Sequence, residues 1–349
     1  MNARLNLDSD QAQRHNEAEK TMSGTERSDA GFILWHSDEF RRVIGDAPQL
    51  IKVVDTDAHE GPVYVADEDA LYFTSLPQDT DTLAPGSRLV AVRRVQLNGT
   101  TFPVSAEAVT TIRADANMAN GMALDAEGRL VICEQGTHSE PARISRMDLA
   151  TGSVETVVDG WRGLRFNSPN DVVVKSDNTI WFTDPAYGYV QGFRPEPMLG
   201  SYVYRHDPAT GTTSVVADTF TRPNGLAFSP DESVLYINDS GANLYPDTYA
   251  SGPHHVLAFD VINGRHLANQ RLFAVIVPGF PDGMKADAVG NVYVASASGV
   301  QVFNPMGDLI GEIMLPNTIN FTFGGHDNTM LFITNDTAIW AATLQATGS

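Results

Sequence analysis

A six-fold internal repeat limits the folds that are open to this chain of 349 residues. Each copy has a polar residue, an apolar run, a turn rich in Asp, Asn and Gly, and a second apolar run, which is typical of a β-hairpin. The start-to-start spacings of 60, 50, 54, 58 and 38 residues bracket a four-stranded propeller blade of about 40–50 residues plus loop insertions. The copies begin at Glu60, Asn120, Asn170, Asn224, Asp282 and Asn320. The repeat therefore predicts an all-β fold, a single six-bladed β-propeller with four-stranded blades over residues 31–349.

The residues between the copies favour the same architecture. Short runs of Val, Ile, Leu, Tyr and Phe alternate with Gly, Asp, Asn and Pro from Ile51 onward, and no long amphipathic helical pattern occurs. A β-sandwich is the alternative, but it predicts shorter units without this long period. Closing the ring requires a strand from one terminus to complete a blade made mostly from the other. Either Phe32–His36 or the stretch near Ile339–Leu344 could provide that strand.

The segment 1–30 differs from the rest of the chain because it is polar and offers almost no apolar face. We expect a mobile polar leader here, without the apolar stretch of a secretory signal and too acidic for a mitochondrial presequence. The formal net charge of −20 disfavours nucleic acid and anionic membranes as partners. The single cysteine, Cys133, excludes an internal disulfide and a multi-cysteine metal site. These features predict a cytoplasmic protein, and we expect a monomer or a homodimer.

The first residue of every copy carries a side-chain oxygen, and two of the six are carboxylates. In a propeller the innermost strands line one central channel, so equivalent repeat positions converge although they are far apart in sequence. Carboxylate and amide oxygens suit a hard divalent cation, so Ca²⁺ is favoured, with Mg²⁺, Mn²⁺ and Zn²⁺ as alternatives. In any single copy an Asn-Gly or Asp-Gly pair is better explained as a turn. Six copies in register favour one metal site instead.

Four of the repeats contain longer motifs in a fixed order. They are EGPVY from Glu60, RFNSPNDVVVKSDNTIWFTDPAYG from Arg165, RPNGLAFSPDESVLYINDS from Arg222 and PDGMKADAVGNVYVA from Pro281. Together these motifs resemble those of the gluconolactonase/regucalcin family, also described as the senescence-marker and luciferin-regenerating family. The resemblance runs from about residue 60 to residue 344. It implies a six-bladed propeller with one divalent metal ion at the channel mouth, held by Glu60, Asn170, Asn224 and Asp282.

The chain departs from the regucalcin branch of that family at one position. That branch has an arginine that touches substrate two residues before the Asn-Asp pair, and this chain has Ser168 there. Arg165 lies in the RFNSPND motif, which is typical of the bacterial and fungal gluconolactonase branch, and is a candidate to replace that arginine.

The resemblance implies a metal-dependent lactonase of carbohydrate metabolism, a hydrolase that acts on the ester bond of a sugar-acid lactone. This reaction needs polarisation of the carbonyl, a nucleophilic water and a group that takes its proton. Because Ca²⁺ activates water much less than Zn²⁺ does, we expect a separate carboxylate base. Asp282 is the first candidate, and Asp239 is the second unless it orients Asn224 or is a turn residue. The candidate contacts to substrate hydroxyl groups are Asn120, Glu134, Arg165, Tyr187 and His255.

Two other functions are compatible with the sequence. A metal-dependent hydrolase of aryl esters or phosphotriesters would use the same polarising ion and base. A non-catalytic calcium-binding propeller would share the ring of oxygen atoms. The sequence lacks the motifs of serine hydrolases, HExxH zinc proteases, P-loop proteins and Rossmann-type enzymes. Cys133 follows apolar residues in a strand, so we interpret it as a buried hydrophobic residue and not as a nucleophile.

Overall fold

The computed structural model describes residues 31–79, 88–99, 101–244 and 251–349, so the predicted leader at 1–30 lies outside the described residues. Within them, six antiparallel sheets form the blades of a propeller, and each contains one copy of the repeat. The predicted six-bladed β-propeller is therefore confirmed. None of the helices in this part of the chain is long and apolar enough to cross a membrane.

The strands follow one another around the ring in chain order. Before the first blade lie β1 (Ile33–Trp35), helix α1 (Phe40–Ile44) and β2 (Leu50–Asp55). Blade 1 contains β3 (Ala58–Val65), β4 (Ala70–Ser75), a small separate hairpin of β5 (Gln78–Asp79) and β6 (Arg88–Leu89), β7 (Val92–Gln96) and β8 (Val109–Arg113). Blade 2 contains β9 (Ala119–Leu124), β10 (Leu130–Glu134), β11 (Arg143–Met147) and β12 (Val154–Val158), and the hairpin of β13 (Gly160–Trp161) and β14 (Leu164–Arg165) follows it.

The second half of the ring repeats this order. Blade 3 contains β15 (Val172–Val174), β16 (Ile180–Asp184), helix α2 (Tyr187–Val190), β17 (Tyr202–Asp207) and β18 (Thr212–Ala217). Blade 4 contains β19 (Pro223–Phe228), β20 (Val234–Asp239), β21 (His255–Ile262) and β22 (His266–Val275). Blade 5 contains β23 (Met284–Ala286), β24 (Val292–Ala295), β25 (Gly299–Phe303) and β26 (Leu309–Met314). Blade 6 contains β27 (Asn320–Gly324), β28 (Met330–Thr334) and β29 (Ala338–Thr343) together with β2. Short 3₁₀ helices span Ala66–Glu68, Ala106–Ala108 and Gly241–Leu244.

The ring closes in blade 6, where β2 from the N-terminal side pairs with β29 as the outermost strand. The prediction that the stretch near Ile339–Leu344 could take part in ring closure is thus confirmed. The strand that pairs with it is Leu50–Asp55. The prediction that Phe32–His36 could close the ring is wrong, because β1 pairs with β26 and adds a fifth strand to blade 5. The segment between β1 and β2, which contains α1, leads the chain from blade 5 to blade 6. Within that segment, the ring of Phe40 packs directly over Gly311.

Aspartates form the turns between the first two strands of the blades, as the repeat predicts. Asp125 Oδ1 accepts hydrogen bonds from Glu127 N at 3.0 Å and from Arg129 N at 2.9 Å. Asp287 Oδ1 accepts one from Asn291 N at 2.8 Å. Such side-chain-to-backbone bonds stabilise a tight turn, so each short apolar run is followed at once by its antiparallel partner.

Apolar side chains of the second strands fill the space between neighbouring blades. Trp181 of blade 3, for example, belongs to one buried cluster with Leu226 and Ile237 of blade 4. Cys133 lies in the equivalent layer between blades 2 and 3, and its side chain is fully buried. Burial raises the pKa of its thiol well above the usual value. The interpretation of Cys133 as a buried hydrophobic residue is confirmed.

Glycines allow the innermost strands of neighbouring blades to approach closely at the channel mouth. A Cβ atom on Gly225 would lie 2.3 Å from the carbonyl oxygen of Asp282, and one on Gly283 would lie 2.3 Å from Cγ of Asn320. Neither glycine has a positive φ, so a turn conformation does not explain them. Glycine is required at both positions because there is no space for a Cβ atom. The turn explanation of the Asn-Gly and Asp-Gly pairs does not hold at these two positions.

Candidate active site

The first residues of the repeats meet at one end of the central channel, where they surround a cavity of about 170 Å³. Five of the six line this cavity: Glu60, Asn120, Asn170, Asn224 and Asp282. The sixth, Asn320, lies beside it and donates a hydrogen bond from Nδ2 to Glu60 Oε2 at 2.7 Å. The propeller thus collects polar side chains from five different blades into one small volume.

Polar side chains on the second strands hold the backbone of these residues in place. Thr183 Oγ1 in blade 3 donates to the carbonyl oxygen of Asn224 in blade 4 at 2.9 Å. Asn238 Nδ2 in blade 4 donates to the carbonyl oxygen of Asp282, at the start of blade 5, at 2.6 Å. Because each bond joins one blade to the next, the distance between neighbouring site residues is set by the packing of the blades.

The carboxyl groups of Glu60 and Asp282 lie within hydrogen-bonding reach of each other. Burial raises the pKa of Glu60 well above its usual value, and the charge of Asp282 adds to the effect. Burial and the nearby charge of Asp171 also raise the pKa of Asp282 to about 7, against the opposing hydrogen bond that Asn224 Nδ2 donates to its Oδ1 at 2.9 Å. Two carboxyl groups so close together cannot both be charged at low cost unless a cation lies beside them.

Two amide oxygens of the cavity are buried and have no hydrogen-bond partner among the described residues, namely Asn120 Oδ1 and Asn170 Oδ1. Leaving such an acceptor unpaired costs about 1–3 kcal/mol, so its presence needs a reason. The described residues contain no group of three or more His, Cys, Asp or Glu side chains that could hold a metal ion. A cation here would therefore rely on amide oxygens as well as carboxylates, a donor set that fits Ca²⁺ or Mg²⁺ better than Zn²⁺.

Tyr187 brings a hydroxyl group to the cavity from the first residue of α2. Its ring lies under the guanidinium group of Arg222, whose Cζ is 5.1 Å from the ring centroid. Asn224 Nδ2 donates to the Tyr187 hydroxyl oxygen at 3.3 Å. Burial raises the pKa of Tyr187, so the hydroxyl stays protonated and can donate a hydrogen bond to a bound molecule.

Asp239 does not line the cavity, although it closes the strand that follows Asn224. Its carboxylate accepts three backbone hydrogen bonds, from Thr221 N at 2.7 Å, Arg222 N at 2.8 Å and Gly241 N at 3.0 Å. These bonds hold the segment that leads into Asn224. The contacts support the orienting role that the sequence offered for Asp239, and they do not bring it to a position where it could act as a base.

Replacing Asp239 with alanine is expected to lower the free energy of unfolding by about 3 kcal/mol, because three backbone N–H groups lose their acceptor. Urea denaturation measures this change. Asp231→Ala, at a solvent-exposed turn of the same blade where Asp231 bonds Ser229 and Ser233, is the matched control with an expected cost of about 1 kcal/mol. Equal losses in the two variants would argue against an orienting role for Asp239.

Glu134 is fully buried in blade 2 and is surrounded by donors. Arg113 and Arg143 bond its two carboxylate oxygens at 2.5 and 2.7 Å, and Ser145 Oγ donates to Oε1 at 2.6 Å. Burial raises the pKa of Glu134, but the two arginines outweigh it and hold the pKa below its usual value. The structure does not bring the Glu134 carboxylate to the cavity, because its oxygens are bonded to protein donors and it is fully buried.

The structure also leaves Arg165 and His255 away from the cavity lining. Arg165 ends the hairpin that follows blade 2, where its side chain is 59% exposed and pairs with Asp159. His255 begins the third strand of blade 4 and is half-buried, with its pKa lowered by burial. Neither side chain is positioned to touch a molecule in the cavity in this arrangement.

Several cavity residues are absent from the set that the sequence suggested. They are His59, Pro77, Val90, Met118, Ala119, Gln135, Gln191, Asn243 and Phe280. His59 and Gln135 are direct sequence neighbours of two proposed residues, Glu60 and Glu134, so reading one position further would have found them. Gln191 and Asn243 lie in connections outside the repeat, where periodicity gives no signal.

The fold and the cavity together define a six-bladed propeller with an axial site built from carboxylate and amide oxygens. The chain matches the sequence profile of the family described as the SMP-30/Gluconolactonase/LRE-like region over residues 58–337, which is most of its length. This protein belongs to that family.

Individual relatives agree with this assignment. The chain is 29% identical over 303 residues to a gluconolactonase of Zymomonas mobilis, covering 85% of this chain and 80% of the relative. It is 26% identical to the lactonohydrolase oryL of Aspergillus oryzae, covering 90% and 74%. Among solved structures, a gluconolactonase of Xanthomonas campestris matches with a TM-score of 0.72 and 30% identity, covering 92% of this chain and 97% of the other.

Proposed function

We propose that this protein is a metal-dependent lactonase that hydrolyses a sugar-acid lactone. The observation that carries the proposal is the cavity in which Glu60 and Asp282 meet the unpartnered amide oxygens of Asn120 and Asn170. Relatives named gluconolactonase and lactonohydrolase support hydrolysis of a cyclic ester as the reaction. The aldonic acid lactone named for the Zymomonas and Xanthomonas proteins supports a hydroxylated ring as the substrate.

We expect Glu60, Asn170, Asn224 and Asp282 to hold the divalent ion. Bound there, the ion would polarise the carbonyl group of the lactone. The Asn224 amide donates from Nδ2 to Asp282 Oδ1 at 2.9 Å, and its Oδ1 is the atom that would bind an ion. Asn120, with an unpartnered oxygen beside the same cavity, can accept a hydrogen bond from a substrate hydroxyl group.

The side chains of the cavity can account for the proton transfers of ester hydrolysis. An Asp282 carboxylate oxygen accepts a proton from the water that attacks the lactone carbonyl carbon. The ring C–O bond then breaks, and the same proton returns to the ring oxygen, which becomes the new hydroxyl group of the open-chain acid. Tyr187, which stays protonated, can donate a hydrogen bond that orients the substrate.

The test is hydrolysis of D-glucono-1,5-lactone and other aldonolactones by protein stripped with EDTA and then supplied with Ca²⁺, Mg²⁺, Mn²⁺ or Zn²⁺. Acid release is followed by pH-stat, and the spontaneous rate is subtracted. We expect turnover to disappear after stripping and to return with a divalent ion. Calorimetric binding of the ion without turnover of any lactone would refute the proposal in favour of a non-catalytic calcium-binding propeller. Turnover of aryl esters or phosphotriesters alone would replace the proposed substrate class.

A further inference from the structure

A histidine and an aspartate form a close pair at the edge of the cavity. His59 Nδ1 and Asp336 Oδ1 are 2.6 Å apart, and their side chains are 28% and 34% exposed. His59 lines the cavity and directly precedes Glu60 in β3. Asp336 comes from the connection after β28, so the pair joins blade 1 to blade 6.

The backbone on both sides of this pair is fixed. Asp336 N donates to the carbonyl oxygen of Ala58 at 2.9 Å, and Thr334 Oγ1 donates to the carbonyl oxygen of His59 at 2.7 Å. Asp336 has φ of 70°, a left-handed conformation that turns the chain back over the start of β3. The imidazole ring is therefore held by the hydrogen bond at Nδ1, and the His59 main chain is held by Thr334. The orientation of the ring is thus set before any molecule binds.

This arrangement determines what the ring can offer to the cavity. A carboxylate accepts hydrogen bonds only, so Nδ1, the atom that faces Asp336, carries a proton whether the ring is neutral or charged. Nε2 accepts a hydrogen bond in the neutral ring and donates one in the charged ring, and among the described residues it has no hydrogen-bond partner in the structure. A hydroxyl group of a bound molecule can pair with such an atom in either state, because it both donates and accepts.

We infer that His59 Nε2 forms a hydrogen bond with a ring hydroxyl of the lactone, and that Asp336 is the positioning residue which holds the imidazole ring for this contact. The pair then selects hydroxylated lactones over lactones that lack hydroxyl groups. The inference rests on the proposed lactonase function and deepens it, because it assigns part of the substrate preference to a side chain on the blade 1 to blade 6 seam.

The selectivity follows from the cost of leaving a hydrogen-bonding atom unpaired. A lactone without hydroxyl groups leaves His59 Nε2 unsatisfied once water is displaced, whereas a hydroxylated lactone pairs with it. A single hydrogen bond of this kind changes the preference for one substrate by about 10-fold.

The experiment compares kcat/KM for D-glucono-1,5-lactone with kcat/KM for δ-valerolactone, the same six-membered ring without hydroxyl groups. The readout is the ratio of the two values, which does not depend on the fraction of enzyme that is folded. His59→Leu removes the hydrogen-bonding atom, and we expect the ratio to fall about 10-fold. His59→Gln keeps an amide group that can donate or accept at about the distance of Nε2, and we expect it to recover most of the ratio. Asp336→Asn keeps a residue that tolerates positive φ but removes the charge, and we expect a smaller fall in the same direction.

The outcomes separate this inference from the proposed function. An unchanged ratio in His59→Leu, in enzyme whose wild type hydrolyses lactones, overturns the role of His59 and leaves the lactonase proposal standing. A ratio that falls equally in His59→Leu and His59→Gln also overturns it, because a hydrogen bond at this position would then not be the cause. Absence of turnover of both lactones by the wild type refutes the lactonase proposal and this inference together.

Discussion

Replacing Asp282 with asparagine is expected to lower metal-dependent lactone hydrolysis at least about 100-fold, since even residues that merely support metal ligands commonly cost 10–100-fold when removed. Asparagine keeps the shape of the side chain but cannot take a proton from water. Its amide also removes one of the two negative charges that the cavity offers to a cation. The measurement is kcat/KM for an aldonolactone at saturating divalent ion, together with the affinity for the ion by calorimetry.

The same substitution is expected to stabilise the protein in the absence of metal. The pKa of Asp282 is raised to about 7, so above that pH the folded protein holds a charged Asp282 beside the Glu60 carboxyl group. A raised carboxyl pKa in the folded state costs stability as the pH rises through the interval between the unfolded value and about 7. Asparagine removes this cost, so at pH 8 the free energy of unfolding of the EDTA-treated variant should exceed that of the EDTA-treated wild type by about 1–3 kcal/mol.

Adding a divalent ion is expected to reverse the order of stability. The ion should raise the unfolding temperature of the wild type and have little effect on Asp282→Asn, because binding stabilises only the state that holds the ligand. Asp55→Asn, at an exposed carboxylate that pairs with Lys52 on the outermost strand of blade 6, is the matched control and should behave as the wild type does. Wild-type turnover in Asp282→Asn would show that Asp282 is not part of the active site. A metal-free variant that is less stable than the wild type would contradict the cost of burying a charged Asp282.

Replacing Gly225 with alanine is expected to damage both the fold and the site. The new Cβ atom would lie 2.3 Å from the carbonyl oxygen of Asp282 and 2.8 Å from Nδ2 of Asn238, which bonds that carbonyl. The first of these neighbours is backbone, so the innermost strands of blades 4 and 5 must move apart. We expect the free energy of unfolding to fall by about 2–4 kcal/mol.

The loss of activity should exceed what the loss of folded protein explains. Gly225 follows Asn224 directly, so a shift of its strand changes the separation of Asn224 and Asp282. Gly128→Ala is the control, because Gly128 has φ of 77° but nothing within 4 Å of the added Cβ atom. It should cost only the strain of positive φ, about 1 kcal/mol, and leave ion affinity as it is. Denaturation measures the stability of both variants, and calorimetry measures their affinity for the ion. A Gly225→Ala protein with normal stability would contradict the close approach of the two strands.

Much of the architecture could be predicted from the repeat, because each copy encodes its own hairpin locally. Aspartates such as Asp125 and Asp287 form turns with residues only two to four positions away, and such contacts leave a pattern in the sequence. Ring closure could not be predicted in the same way. The segment Leu50–Asp55 lies outside the repeats, and its partner Ala338–Thr343 is almost at the other end of the chain.

The site shows the same division between local and distant information. The first repeat position identifies the polar residues of the cavity because blade geometry turns equal positions toward one axis. A second repeat position is also equivalent in three blades. Glu134, Asp184 and Asp239 each end the second strand of a blade, and all three are buried carboxylates that bind protein donors. Asp184, for example, accepts hydrogen bonds from Asn167 N and Ser168 N at 2.9 and 2.7 Å.

Aligning that second position would have indicated that Glu134 and Asp239 serve the blade and not a bound molecule. His59 is a different case. Its role depends on Asp336, 277 residues away, and no local pattern links the two. Only the closed ring reveals that contact.

The pairing of β2 with β29 also has a consequence for how the chain is made. During synthesis, Leu50–Asp55 leaves the ribosome early, yet the strand that it must join is translated only after all the other blades. Until β27 and β28 are made, blade 1 has no neighbour on that side, and until β29 is made, β2 has no partner strand, so the nascent ring exposes apolar surface and unpaired backbone. A cell that produces this protein must keep a nearly finished ring from aggregating for as long as the ribosome takes to reach Thr343.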